Sequence, residues 1–353
     1  MSVDLASLLR PHLLQLQPYT SARDEYSGKE GVFLDANENP FGSSTLQEYN
    51  RYPDPYQSTL KEQIAKIKGV RPSQLFLGNG SDEAIDLLIR AFCAPGVDHV
   101  LLLPPTYGMY GVSAAINGVE ARQVPLTPTF QLQPDKILAE TDTRSKILFI
   151  CSPNNPSGND MNREDVLFLI SHFPGIVVVD EAYIDFSPQE SLIAALDQYP
   201  NLVVMQTLSK AWGLASLRLG MAFAGEEIIA ILNKIKPPYN ISGLTQETVL
   251  QALENKTQVD EFIRQILVER AYLRGKLEKL PYILHVHPSD ANFLLVRVAD
   301  AKKVYERLIQ DKIIVRSRTS VLHCEGCLRI TVGTRAESNS LLKALDRIHS
   351  EQP

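Results

Sequence analysis

The segment Leu202–Ala224 reads LVVMQTLSKAWGLASLRLGMAFA, and its two ends are typical of buried β-strands. Leu202–Gln206 and Gly220–Ala224 are almost entirely apolar, and the loop between them carries Lys210 and Arg218. A lysine at the end of an apolar strand has two interpretations. It is a surface lysine whose stem lies along apolar surface, or it is an amine placed at the edge of a sheet for covalent chemistry. The surrounding sequence has to decide between them.

Short β-branched runs alternate with helical patterns through the region 75–224. Strands that are apolar on both faces and separated by amphipathic helices indicate a mostly parallel sheet with helices on both sides. One helix is predicted at Asp82–Phe92, and Ser191–Leu196 is predicted to be part of another. The predicted strands are His99–Leu103, Ile147–Cys151, Ile176–Val179, Leu202–Gln206 and Gly220–Ala224.

A second, smaller α+β domain is predicted after the proline-containing break at 236–242. Its long helical region is expected at about Thr245–Leu280, and a shorter helix at about Ala301–Gln310. The predicted strands of this domain are Phe293–Val298, Ile313–Arg316 and Leu328–Val332. We therefore expect an N-terminal segment 1–45 that packs with the small domain, a large domain 46–243 and a small domain 244–353.

Composition excludes several classes of protein. A net charge of -6 gives no electrostatic footprint for nucleic acid. No apolar run approaches the roughly 18 residues that a membrane span needs, and the first residues do not resemble a signal peptide. The four cysteines, Cys93, Cys151, Cys324 and Cys327, are too few for a disulfide scaffold, and a single CxxC is weak evidence for a metal site. We expect a reduced, cytoplasmic protein without a metal ion.

Polar residues follow several of the predicted strands, where open parallel sheets bind their ligands. Gly78–Glu83 (GNGSDE) opens the first helix with Ser81 as its candidate N-cap, and such a terminus attracts phosphate. Pro104–Tyr110 (PPTYGMY) supplies aromatic rings, and Ser152–Gly158 (SPNNPSG) supplies asparagine side chains. Each of these motifs also has a purely structural interpretation as a capped helix or a rigid turn.

Asp180 directly follows the four apolar residues Ile176–Val179. A carboxylate in that position costs free energy unless it has a partner, so it either caps a local helix or holds a ring nitrogen protonated. Lys210 comes thirty residues after Asp180, a spacing that fits one strand–helix–strand unit, whose right-handed crossover places both side chains at the same end of the sheet. With Tyr183 and Arg218, this edge carries the groups that pyridoxal 5′-phosphate requires.

These motifs resemble those of fold-type I pyridoxal-phosphate-dependent aminotransferases and, within them, the histidinol-phosphate aminotransferase family. The resemblance covers nearly the whole chain and implies a large, mostly parallel-sheet αβα domain plus a smaller α+β domain. The forms PPTYGMY and LRITVGT point to the histidinol-phosphate branch. The motifs that carry the resemblance are Leu16–Tyr19, Asp35–Pro40, Arg51–Pro53, Gly78–Glu83, Pro104–Tyr110, Ser152–Pro156, Val179–Tyr183, Thr207–Lys210 and Leu328–Gly333.

The resemblance implies a role for each matching residue. Lys210 is the lysine that binds the cofactor covalently and acts as the base, Asp180 is the partner of the ring nitrogen, and Tyr183 completes the catalytic set. Tyr52 is the residue that a neighbouring subunit contributes to the cofactor phosphate, which implies a homodimer with shared sites. The other residues implied to bind the cofactor are Ser81, Asp82, Tyr107, Asn155, Thr207, Ser209 and Arg218.

The same resemblance implies the substrates. It predicts transamination between histidinol phosphate and 2-oxoglutarate, giving imidazole acetol phosphate and glutamate, a reaction that runs in reverse in histidine biosynthesis. Tyr19, Asn155, Arg316 and Arg329 are the implied substrate-binding residues, with the two arginines on the anionic end. The sequence departs from the family pattern at Trp212 and Ser216, which makes the geometry of the loop after Lys210 less predictable.

Three alternatives remain open from the sequence. An aromatic or broad-specificity amino-acid aminotransferase would share the whole cofactor site and differ only at substrate-facing positions. A threonine-phosphate decarboxylase-like enzyme would also take a phosphorylated amine, since the bond that breaks depends on an angle that sequence does not show. A ligand-sensing module on the same scaffold belongs to another class of protein, but such regulators carry a DNA-binding domain, and none is visible here.

Overall fold

The computed structural model describes residues 4–20 and 31–350, and the larger of its sheets is formed by the segment 75–224. Its strands are β1 (Leu75–Asn79), β2 (His99–Leu102), β3 (Glu120–Gln123), β4 (Ser145–Cys151), β5 (Ile176–Asp180), β6 (Leu202–Thr207) and β7 (Leu219–Ala224). Their order across the sheet is β1-β7-β6-β5-β4-β2-β3. Strand β7 runs antiparallel to both of its neighbours, whereas the other neighbouring pairs are parallel. The predicted mostly parallel sheet is therefore confirmed.

The five strands predicted in this region are all present, with ends that differ by one or two residues. The edge strand β3 was not predicted, because its sequence Glu-Ala-Arg-Gln is polar and lacks the apolar pattern of a buried strand. Ser191–Leu196 was predicted to be part of a helix, but the structure has only a short 3₁₀ turn at Leu192–Ala195. Pro200 follows closely and disfavours a continued helix there.

Alternate residues of each central strand pack on opposite faces of this sheet, as the pleat requires. Val177 and Val179 enter one apolar cluster, and Ile176 and Val178 enter the other. Helices α3 (Ser58–Lys68), α6 (Pro134–Ala139) and α7 (Arg163–His172) contribute to the first cluster. Helices α4 (Ser81–Phe92), α5 (Met109–Ile116) and α8 (Glu226–Ile235) contribute to the second. The sheet is therefore the middle layer of an αβα arrangement.

The first described residues form two single-turn helices, α1 (Leu5–Leu8) and α2 (Pro11–Leu14). Leu5, Leu9 and Leu13 are buried in the same apolar cluster as α4 and α8 of the large domain. The prediction that the N-terminal segment packs with the small domain is therefore wrong for this part, because its leucines match an apolar face of the larger layer. Residues 21–30 of the predicted segment lie outside the described residues.

A smaller sheet follows, with antiparallel strands in the order β10-β11-β9-β8. The strands are β8 (Ile283–Val286), β9 (Phe293–Val298), β10 (Arg316–Ser317) and β11 (Cys327–Thr331). The remaining helices are α9 (Gly243–Leu253), α10 (Lys256–Leu277), α11 (Ala301–Gln310) and α12 (Arg335–Ser350). The predicted strand Ile313–Arg316 is displaced, since Lys312 has a left-handed backbone and pairing begins only at Arg316.

Helix α10 joins the two cores. Val259 near its start lies in the cluster that includes α3, whereas Leu273 and Leu277 near its end lie in the core of the smaller sheet. Helix α9 contacts α3 and so associates with the large domain. The division at 243/244 stays a prediction that these contacts do not support. Within residues 4–20 and 31–350, none of the helices combines the length and the apolar character needed to cross a membrane.

Strand β7 and the start of α4 approach each other more closely than any side chain would allow. A Cβ atom added to Gly220 would lie 2.2 Å from the backbone nitrogen of Ser81 and 2.3 Å from the carbonyl carbon of Gly80. Both contacts are with backbone, so neither can be relieved by rotating a side chain. Glycine at position 220 therefore fixes the helix start against the edge of the sheet.

We predict that Gly220→Ala destabilises the protein by more than about 2 kcal/mol, because the added methyl group overlaps rigid backbone. Gly275→Ala is the matched control: it adds the same methyl group within α10, where nothing lies within 4 Å of the new atom. That variant should be neutral or more stable by up to about 1 kcal/mol. Chemical denaturation of both variants measures the difference, and equal stabilities would contradict the close-approach argument.

Candidate active site

One cleft of about 700 Å³ lies at the carboxyl ends of the central strands, between the two sheets. Most of the predicted site residues line it, although their roles remain predictions. The predicted residues on its wall are Ser81, Asp82, Tyr107, Asn155, Asp180, Tyr183, Thr207, Ser209, Lys210, Arg218, Arg316 and Arg329. Residues of the large sheet and of the smaller sheet therefore meet in one place.

The carboxylate of Asp180 lies at the bottom of this cleft, at the end of β5, and is 4 % exposed. Its Oδ2 accepts a hydrogen bond of 2.6 Å from the Tyr110 hydroxyl, and its Oδ1 accepts one of 3.0 Å from the Ala182 backbone nitrogen. Burial raises the pKa of Asp180, whereas these two hydrogen bonds favour its charged form and oppose the rise. A cationic group above the carboxylate would complete its stabilisation.

Tyr110 was not predicted as part of the site. It is fully buried in α5 and stacks on Phe149 with ring centroids 4.7 Å apart, while Tyr107 meets its edge at 5.5 Å. The motif PPTYGMY contains both tyrosines, but Tyr107 precedes α5 and Tyr110 lies in its first turn, so the motif alone did not show that Tyr110 faces inward. Tyr110 positions the carboxylate rather than contacting the open cleft.

The amino end of α4 forms the second part of the site. The helix begins at Ser81 with Gly80 as its N-cap, so the prediction that Ser81 is the cap is wrong by one residue. Among the described residues no side chain caps this helix, which leaves its first N–H groups available to an anion. Arg218 reaches the same point from the other side, with its Nη2 3.6 Å from Asp82 Oδ2.

Hydroxyl groups and Arg218 complete the candidate anion-binding site at the amino end of α4. The Thr207 Oγ1 donates to Ser209 Oγ at 3.0 Å, and both residues line the cleft together with Ser81 of the helix start. Arg218 itself has a left-handed backbone with φ of 53°. A non-glycine residue in that conformation is strained, and such strain is concentrated at functional sites. A helix start, two hydroxyls and a guanidinium together are suited to a phosphate group.

Lys210 stands at the mouth of the cleft, with its Nζ 5.7 Å from the centre of the Tyr183 ring. The residue as a whole is exposed, but it lines the cleft and its amine end lies beside the Tyr183 ring. Burial lowers the pKa of the Lys210 amine, and the positive charges of Arg329 and Arg218 lower it further, against the opposing carboxylate of Asp180. The arrangement therefore shifts the amine toward its neutral, nucleophilic form.

The opposite wall comes from the smaller sheet. Arg316 of β10 is directly paired with Arg329 of β11, so their side chains are neighbours. The Arg329 Nη1 donates to Asn155 Oδ1 at 2.5 Å, and its guanidinium lies 5.2 Å from the centre of the Phe293 ring. Burial lowers the pKa of Arg329. This wall presents positive charge toward the amine of Lys210.

Two predicted residues do not reach this cleft. Tyr19 is 74 % exposed and is absent from the cleft wall. Tyr52 is 52 % exposed, stacks on Tyr239 at 4.5 Å and lines a separate cavity of about 850 Å³. Sequence motifs alone do not show which side of the molecule each tyrosine faces. Trp212, a departure from the family pattern, is buried in the core.

The matching family model is aminotransferase class I and II, which covers residues 29–345. A histidinol-phosphate aminotransferase from Cytophaga hutchinsonii is 56% identical over 345 residues, 98% of this chain and 99% of that one. Another from Bacteroides fragilis is 52% identical, over 97% of this chain and 99% of that one. The chain belongs to the class I and II aminotransferase family.

The fold of this aminotransferase is also found in solved structures. The crystal structure of a histidinol-phosphate aminotransferase from Sinorhizobium meliloti in complex with pyridoxal-5′-phosphate matches with a TM-score of 0.79 over 97% of each chain, at 23% identity. At that identity the likeness shows the fold alone. It confirms the predicted fold-type I architecture, a large αβα domain followed by a smaller α+β domain.

In this aminotransferase we predict that Arg329→Gln raises the pKa of Lys210, because the arginine charge that disfavours the ammonium form is removed. The neutral fraction of the amine should then fall at any given pH, and its acylation curve should move to higher pH. Acetylation of ligand-free protein followed by peptide mass spectrometry measures this shift. Lys302, an exposed lysine of α11, is the control and should be acetylated equally in both proteins. If the pH dependence of Lys210 acetylation is the same in both proteins, Arg329 does not influence the pKa of Lys210.

Proposed function

We propose that this aminotransferase uses pyridoxal 5′-phosphate to move an amino group between histidinol phosphate and 2-oxoglutarate. The products in that direction are imidazole acetol phosphate and glutamate, and the reverse direction would serve histidine biosynthesis. The observation that carries the proposal is that one cleft has two separate cationic ends with Lys210 between them. One end suits a cofactor phosphate, and the other suits an anionic group on the substrate.

The residues present fit the cofactor. The first turn of α4, Thr207, Ser209 and Arg218 would hold its phosphate, and Asp180 would face its ring nitrogen. Thr106 adds a hydroxyl on the same wall, and its Oγ1 is buried without a hydrogen-bond partner among the described residues. A buried polar atom in that state costs free energy unless a ligand satisfies it.

When bound, pyridoxal phosphate supplies an aldehyde that reacts with amines and a protonated ring that withdraws electrons. The protein residues supply the rest. Asp180, which accepts a hydrogen bond from Tyr110, would hold a proton on the ring nitrogen. Tyr107 and Tyr183 both line the cleft and would limit the space around the ring. The Nζ of Lys210, whose pKa is lowered by burial and by Arg329, would in its neutral form take the proton from the α-carbon of the substrate.

The substrate end of the cleft contains more cationic groups than a single carboxylate requires. Arg329 is held in place by Asn155, and Arg316 lies beside it. A phosphate monoester carries about two negative charges near neutral pH and matches such a group. The aromatic-aminotransferase and decarboxylase alternatives use the same cofactor end, so an experiment on the substrate has to separate them.

We predict that the purified protein has a visible band from bound cofactor, which fades with histidinol phosphate and returns with 2-oxoglutarate. Lys210→Ala should lower turnover by roughly 10³-fold or more, because the base is removed. Absorbance and product analysis give both results. Bleaching by an aromatic amino acid but not by histidinol phosphate would favour the broad-specificity alternative, and release of carbon dioxide from threonine phosphate would favour the decarboxylase.

We also propose a homodimer in which Tyr52 completes the site of the neighbouring subunit. The support is its position: the ring faces a separate cavity and is half exposed, whereas the other predicted cofactor residues line the cleft of their own chain. A cytoplasmic location is proposed with it, and the four free, buried cysteines are compatible with a reducing compartment.

Hybrid dimers test the shared site. We predict that Lys210→Ala and Tyr52→Ala are each poorly active alone, but that co-expressed subunits regain activity. Each hybrid dimer would combine the intact Lys210 of one chain with the intact Tyr52 of the other in a single complete site. Two affinity tags isolate the hybrids, and each homodimer serves as a control. Hybrids no more active than the better parent would show that Tyr52 does not act across an interface.

A further inference from the structure

A third arginine faces the substrate end of the cleft. Arg318 lines it together with Arg316 and Arg329. Its backbone nitrogen donates to the Cys327 carbonyl oxygen at 2.9 Å, so the pairing of β10 with β11 continues to this residue. Side chains two residues apart along a strand point to the same face. Arg316 and Arg318 therefore project from one strand on the side where Arg329 meets them from the next.

No carboxylate neutralises this group of three. Within residues 4–20 and 31–350, none of them has an aspartate or glutamate oxygen within 4.0 Å, whereas other arginines of the chain do, such as Arg122 with Asp142 at 3.0 Å. Burial lowers the pKa of Arg318, and the charges of Arg329 and Arg316 lower it further. Three neighbouring cations repel one another, and an anion between them would remove that cost.

The number of donors indicates which anion fits. One arginine binds a carboxylate through two parallel hydrogen bonds, and Arg329 with its Asn155 contact is sufficient for that. A phosphate monoester presents three peripheral oxygens and a larger charge, and so can engage further guanidinium groups. The additional arginines are therefore of use for a phosphate and largely redundant for a carboxylate.

We propose that Arg318 is a specificity-determining residue that contacts the phosphate group of the substrate and makes the enzyme favour a phosphate monoester over a dicarboxylate. The inference rests on the proposed function and deepens it, since it assigns the phosphate to a three-arginine group rather than to Arg316 and Arg329 alone. It also explains why a residue that sequence motifs did not select lies on the cleft wall beside two that they did.

The test compares Arg318→Gln with the wild-type holoenzyme on two substrates. For histidinol phosphate we expect kcat/KM to fall by about 10- to 100-fold, mainly through KM, since a charge-assisted hydrogen bond is lost. For glutamate the change should stay below about threefold. Inorganic phosphate, used as a competitive inhibitor against glutamate, should bind the variant about tenfold more weakly than the wild type. That inhibition reports on the anion site without relying on histidinol phosphate as substrate.

Two further variants keep the result interpretable. Arg144→Gln makes the same charge change just before β4, at the opposite end of the strands. It should leave kcat/KM unchanged for both substrates. Arg318→Lys keeps the positive charge but loses the planar guanidinium that can donate two parallel hydrogen bonds. Its selectivity for the phosphorylated substrate should lie between those of the wild type and Arg318→Gln. Arg318→Lys also replaces the glutamine variant if that protein does not fold.

The outcomes separate the two proposals. Equal losses on both substrates, together with unchanged phosphate inhibition, would overturn the role of Arg318 even if histidinol phosphate is a good substrate. A wild-type enzyme that does not convert histidinol phosphate would overturn the proposed function, whereas weaker phosphate inhibition in Arg318→Gln would still support a phosphate contact at that residue.

Discussion

The buried carboxylate of Asp180 is the constraint around which the rest of the site is arranged. A charge at the end of a central strand is costly in a medium of low dielectric. The protein offsets part of that cost with the Tyr110 hydroxyl and the Ala182 N–H, at 2.6 and 3.0 Å. The Tyr110 ring is held in turn by stacking on Phe149 and by its position in helix α5. A residue that never touches the open cleft therefore determines whether its central charge is tolerated.

The positive charges at the two ends of the cleft outnumber the negative charge of Asp180. Arg218 lies beside Asp82 and the helix start, whereas the arginines of the smaller sheet have no carboxylate partner in the described part of the chain. Lys210 lies between these two groups, and its pKa is lowered by burial and by arginines on both sides. The same electrostatic imbalance thus attracts anions to both ends and keeps the central amine reactive.

The sequence predicted the elements that have a regular hydrophobic pattern and the polar residues that directly follow a predicted strand. The central strands, the helix at α4 and the residues just after β5 and β6 were found because buried parallel strands have a distinctive composition. Position in three dimensions was harder to predict. The sequence did not show that Tyr110 turns inward or that Arg318 shares a face with Arg316. Nor did it show which layer Leu5, Leu9 and Leu13 join, because several apolar surfaces could have accepted them.

Helix α10 gives the two cores a mechanical connection. Its 22 residues span about 33 Å at the usual rise of 1.5 Å per residue, with Val259 anchored in one core and Leu277 in the other. If a helix of that length tilts by about 5° about one end, its other end moves by about 3 Å, roughly the length of a hydrogen bond. The orientation of this single helix therefore sets the separation between the two sheets that form the cleft walls.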